Sequence, residues 1–236
     1  MQLSEDSFRA LARSSPWRFR ALHFKVATHT GLVEAWLRRP GRLRVVDGHG
    51  REHVVTELPH TTTVLASARV GDGPAEPRTP PQPRPASTMT PVYRPDGLVA
   101  ERPSIFEGAE YDDPMWQNYQ WVAMLDPVEL SHDVRLAGLR EDEHHGRPVW
   151  RARVWPEDDY EPRCTCCQLL PSELVDREEW SGRPDLEAWL AGRVYPDGFE
   201  VALDVQTGVV VALEPVGGNI ETSDIDVEIL EVDAGI

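Results

Sequence analysis

The run Gly31-Leu-Val-Glu-Ala-Trp-Leu-Arg-Arg-Pro-Gly-Arg-Leu-Arg-Val-Val-Asp-Gly-His-Gly-Arg-Glu-His-Val-Val55 admits few folds. Val33, Ala35 and Leu37 alternate with Glu34 and Trp36, Pro40-Gly41 turns the chain, and Leu43 and Val45 resume the alternation before Asp47-Gly48 turns it again. A period of two broken by tight turns is what successive antiparallel strands with one buried face require. A second pattern of this kind lies near the other end. Val201, Leu203 and Val205 lead into Gln206-Thr207-Gly208, then Val209, Val211 and Leu213 return, and Ile225-Asp-Val-Glu-Ile229 alternates once more.

The segments around these patterns are mixed. Ser4 is placed to cap a helix over 3–15, with Phe8, Leu11 and Ala12 on one face and Pro16 as its stop. Between Trp17 and Val26 the apolar phase slips by one, which predicts a β-bulge. Thr61–Val70 reads as a further strand. Seven prolines from Pro74 to Pro91 make an extended loop of about 71–91. A strand is expected over Pro91–Ala100, then a helix capped by Asp113 with Pro114 at its first position and carrying Trp116, Tyr119 and Trp121. Val134–Leu139 and Val149–Trp155 form a hairpin, 156–182 is an irregular insertion holding every cysteine, and Pro184–Gly192 is a short helix. The fold class expected is α+β in a single domain over 1–236.

The 236 residues carry a formal charge of −16, which repels phosphate backbones and argues against nucleic-acid binding. No stretch approaches the roughly 18 apolar residues of a membrane span, and the first residues lack a basic region followed by an apolar run. A cytoplasmic protein is the expectation. Every basic residue but Lys25 is an arginine, which suits bidentate pairing with the many carboxylates, though GC-rich codon usage by itself produces such an excess.

Three candidate chemistries stand out. Cys164-Thr-Cys166-Cys167 offers soft ligands close enough to share a zinc ion, with His144 or His145 as a further ligand; it lacks a second pair at knuckle spacing, and incidental thiols or a redox pair remain open alternatives. His144-His145 lies in an acidic turn, and adjacent residues of a strand face opposite sides, so the pair converges only if the turn twists it together. The aromatic residues Trp36, Trp116, Tyr119, Trp121 and Trp189 are the candidate walls of an apolar binding cavity, or else core filling. No nucleophile, phosphate-loop or metalloprotease signature is present, so a non-enzymatic protein without a cofactor is expected.

The stretch Gly31–Arg44, with Leu203–Leu213 and Ile225–Val232, resembles the lipoprotein-carrier superfamily, the LolA/LolB-like fold. The resemblance implies a strongly curved antiparallel sheet, an incomplete β-barrel, wrapped around a few helices with a hydrophobic cavity between them. It implies binding of an apolar small molecule or a protein segment. In that family an arginine governs hand-over of cargo; Arg38, Arg39, Arg42 and Arg44 are equivalent candidates for it in this sequence. The proline-rich loop and the cysteine cluster lie outside the family pattern. The leading function is thus ligand or partner binding, and the alternative a metal-binding or thiol-redox protein centred on the cysteines.

Overall fold

The computed structural model describes residues 1–28, 31–56, 82, 84–104, 107–110, 112–162, 168–220 and 224–234. Its centre is a sheet built from two meanders. The first comprises β1 (Ala21–Thr28), β2 (Gly31–Arg38), β3 (Arg42–Val46) and β4 (Glu52–Val55). After a long excursion come β9 (Val134–His144), β10 (Arg147–Pro156), β11 (Phe199–Asp204), β12 (Val210–Pro215) and β13 (Ile225–Val232). Among the described residues they form one sheet of 9 strands in the order β4-β3-β2-β1-β13-β12-β11-β10-β9, antiparallel at every step. The sheet is open, with β4 and β9 as its edges.

The excursion supplies two small pairs: β5 (Arg84–Pro85) with β8 (Ala109–Glu110), and β6 (Val92–Tyr93) with β7 (Val99–Glu101). Four helices accompany the strands among the described residues: α1 (Glu5–Arg18), α2 (Gln120–Leu125), α3 (Glu173–Glu179) and α4 (Leu186–Leu190). The α+β class and the large antiparallel sheet match the expectation.

Helix α1 begins at a reciprocal cap, with Ser4 Oγ accepting from the Ser7 amide at 3.1 Å and Ser7 Oγ from the Ser4 amide at 2.7 Å. It runs through Pro16 to Arg18, because a proline in the last turn forfeits only one hydrogen bond. Phe8, Leu11, Ala12 and Ser15 are buried on one stripe. The bulge falls between His23 and Phe24 in the pairing with β13, close to where the alternation slips. In β1–β3, Leu22, Phe24, Val33, Ala35, Leu37, Leu43 and Val45 are buried while their neighbours are half-exposed or exposed. In β11 and β12 both faces are buried from Val201 to Asp204 and from Val210 to Leu213.

The excursion differs from its expectation. The strand expected at Thr61–Val70 and the proline-rich stretch up to Pro81 lie outside the described residues. Asp113 caps no helix; residues 112–119 are irregular, Gln117 takes a positive φ of 65°, and α2 starts only at Gln120. The reason is electrostatic. Asp113 accepts two hydrogen bonds from Arg39, Nε to Oδ1 at 2.8 Å and Nη2 to Oδ2 at 2.7 Å, and both side chains are fully buried. Arg39 also donates to the Ser15 and Leu125 carbonyls and stacks on Phe19 with its guanidinium carbon 3.9 Å from the ring centre. A buried pair survives desolvation only with such extra partners, and here they tie α1, the β2–β3 turn and α2 together. Asp112 accepts from Ser87, Arg102 pairs with Asp126 at 2.7 Å, and Tyr160 donates to Glu129 at 3.0 Å.

Candidate functional site: an arginine and aromatic groove on the sheet

The face of β1–β3 turned away from the core carries a groove of about 320 Å³ lined by His23, Trp36, Arg38, Arg42, Arg44 and Glu231, among others. Register builds it in rows. Glu231, His23, Trp36 and Arg44 are successive cross-strand partners on β13, β1, β2 and β3. One row nearer the β2–β3 turn, Ala21, Arg38 and Arg42 are partners. One row the other way stand Lys25, Glu34, Val46 and Glu52.

Within the aromatic row, His23 and Trp36 stack with ring centres 4.6 Å apart and planes 15° from parallel, while the Arg44 guanidinium carbon lies 4.3 Å from the Trp36 ring. Cross-strand neighbours on opposite sides hold the indole upright between them. Both flanking side chains find acids in the next row: His23 Nε2 is 2.8 Å from Glu34 Oε1, and Arg44 Nη2 is 2.9 Å from Glu52 Oε2. The hydrogen bond from Arg44 holds the Glu52 carboxyl below its ordinary range. Arg44 is therefore oriented and already satisfied.

Arg38 and Arg42 are not. They are directly opposite each other across the β2–β3 hairpin, both exposed, and neither has an acidic partner among the described residues. Like charges directly opposite on antiparallel strands repel. An anion bridging them turns that repulsion into two charge-assisted contacts, and guanidinium forks match a carboxylate bidentately.

The structure thus separates the four candidate arginines. Arg39 lies fully buried in the ion pair with Asp113 and is a structural pin, while Arg38, Arg42 and Arg44 point to the groove. The five aromatic candidates occupy separate settings. Trp36 is in the groove; Trp116 meets His53 with ring centres 4.6 Å apart; Trp121 is buried against Phe24 at 5.9 Å; Trp189 faces Trp180 at 6.0 Å and lies under Arg193. Tyr119 is the half-buried residue that precedes α2. Cys164, Cys166 and Cys167, with the zinc reading attached to them, lie outside the described residues. The facing arginine pair was missed in the sequence, although Arg38-Arg-Pro-Gly-Arg42 carries its signal: residues equidistant from the centre of a hairpin turn face each other.

No protein-family model and no curated protein matches this chain. Among solved structures it is similar to a crystal structure of MucB, at 15% identity and a TM-score of 0.38, over 97% of this chain and 60% of that one. The chain thus spans less than two thirds of that protein's length. Among the described residues no helix is long and apolar enough to cross a membrane.

Proposed function

We propose that this chain is a non-enzymatic binding protein whose outer-face groove takes a carboxylate-bearing segment of a partner protein. The reading rests on Arg38 and Arg42, set opposite one another without an acidic partner among the described residues, in a chain whose net charge is −16. In such an acid-rich chain carboxylates are plentiful, and Arg44 a row away takes one. The Trp36 indole supplies a non-polar surface beside the arginines. A volume near 320 Å³ suits two or three side chains rather than a long acyl chain. The net negative charge disfavours a nucleic-acid strand, which brings many phosphates, far more than a segment with one or two carboxylates.

The test is a titration with the peptide acetyl-Leu-Glu-Leu-Glu-Leu-amide against the same peptide with glutamine, followed on the arginine Nε and tryptophan indole resonances. The glutamate peptide is expected to shift Arg38, Arg42 and Trp36 saturably, the glutamine peptide at least about tenfold more weakly, as the loss of one charge-assisted contact implies. Arg42→Gln removes the response. Equal response to both peptides, or movement confined to other surfaces, sinks the proposal; saturation by inorganic phosphate in preference to the peptide replaces a protein segment with a phosphate ligand.

A further inference from the structure

A second constellation lies away from the groove, where β9 turns into β10. Strand β9 ends at His144, β10 begins at its cross-strand partner Arg147, and the loop between is His145-Gly146. Both loop residues have positive φ, 47° and 76°, the backbone of the primed two-residue turns that fit the twist of a hairpin. That backbone sets aside the strand rule by which adjacent side chains diverge. The two imidazoles meet with ring centres 4.3 Å apart, edge to face.

They meet over a carboxylate. Asp226 Oδ1 is 3.1 Å from His144 Nε2 and 2.8 Å from His145 Nε2, and one donor atom from each of the three residues lies within 4.8 Å of the other two. Asp226 belongs to β13, three places from β10 in the sheet order, and flat strands would separate those two by roughly 14 Å. The row that joins them runs Arg151, Ala202, Ala212, Asp226. Alanines, both buried, hold its middle positions, and the hairpin tip reaches Asp226. His144 Nε2 is shielded from solvent, and its contact with Asp226 lies off the line of a hydrogen bond, so this nitrogen has no hydrogen-bond partner among the described residues.

We propose that His144, His145 and Asp226 form a binding site for a late first-row divalent metal ion, zinc being the representative case. Two imidazole nitrogens and a carboxylate oxygen are a borderline donor set that such ions favour over calcium or magnesium. Tetrahedral zinc at about 2.0–2.1 Å from each ligand spaces its donors roughly 3.3 Å apart, so the two short contacts need to open only slightly and the imidazoles to swing together. Three protein donors leave a coordination position for water.

Zinc titration of the full chain, followed on the histidine ring resonances, tests this. His144 and His145 are expected to shift together and saturate at one equivalent, with the other histidines still. His145→Asn keeps a residue that tolerates the turn backbone and removes the imidazole; it and Asp226→Asn are each expected to weaken zinc binding about tenfold or more. Cobalt in place of zinc is expected to show no thiolate charge-transfer band. Unmoved His144 and His145 resonances under excess zinc would overturn the site, as would unchanged affinity in both variants or a thiolate band that accounts for all the metal bound.

Discussion

Asp112 and Asp113 are adjacent acids with different fates. Asp113 has Arg39; Asp112 has Ser87, whose amide reaches its two oxygens at 2.9 and 3.1 Å and whose hydroxyl reaches one of them. Burial and then the neighbouring Asp113 charge push the Asp112 carboxyl up to about 6, and the Ser87 hydrogen bonds recover only part of the shift. A carboxyl whose folded value is raised holds its proton in the native state over a range where the unfolded chain has lost it. Stability tied to Asp112 is therefore full below its ordinary value near 4 and falls as pH rises to about 6. Asp112→Asn removes that slope. Against wild type, the variant is expected to gain on the order of 2–3 kcal/mol in urea unfolding between pH 4 and pH 7.5; parallel pH profiles would refute the assignment. Sequence could not separate these residues. Asp113 before Pro114 has the form of a helix cap, and only a buried arginine from a distant turn claims it instead. Arg38 and Arg39 differ for a simpler reason: one is the last residue of a strand, facing outward, and the other turns inward just beyond it.

Elements were legible where the period was clean. Strands β1 to β3, β11, β12 and the start of β13 sit where alternation put them, because one face of each is buried and register shifts are costly there. The β9–β10 hairpin is longer than its apolar residues suggested, since its outer half is an edge of charged residues without a hydrophobic signal. The helix expected after Asp113 failed because spacing alone does not reveal competing tertiary partners. One element contact is unforgiving. Gly208, in the turn between β11 and β12, has a φ of 75°, and a Cβ there would lie 2.7 Å from the Leu11 carbonyl oxygen of α1. Gly50 has a similar φ of 77° with open space around it. Gly50→Ala is expected to cost about 1 kcal/mol for the backbone alone. Gly208→Ala costs that and the displacement of α1, about 3 kcal/mol or more in chemical denaturation. Equal losses would show that α1 does not rest on this turn.

The whole molecule sets the range of its own electrostatics. The groove arginines act over short distances, whereas an acidic peptide farther than about 10 Å meets the field of a chain with net charge −16. Salt screens the long-range repulsion first. Association of the glutamate peptide, followed by stopped-flow tryptophan fluorescence, is expected to quicken as ionic strength rises from low to physiological. An association rate that falls with salt would instead indicate attraction at long range. Neither the groove nor the metal constellation was visible as a unit in the sequence. The groove joins strands by register, which a sequence states only where turns are short, and the His144–His145–Asp226 cluster joins residues 81 positions apart that are not register partners.

The sheet order also bears on how the chain is made. β1 has β2 on one side and β13 on the other, a partner whose residues come roughly 200 positions later. At common translation rates that is on the order of ten to forty seconds of synthesis. Through that interval β1 has only one of its two neighbours, and the sheet becomes continuous only when β13 pairs with its free edge. A nascent chain of this design depends on whatever shields that open strand while it waits.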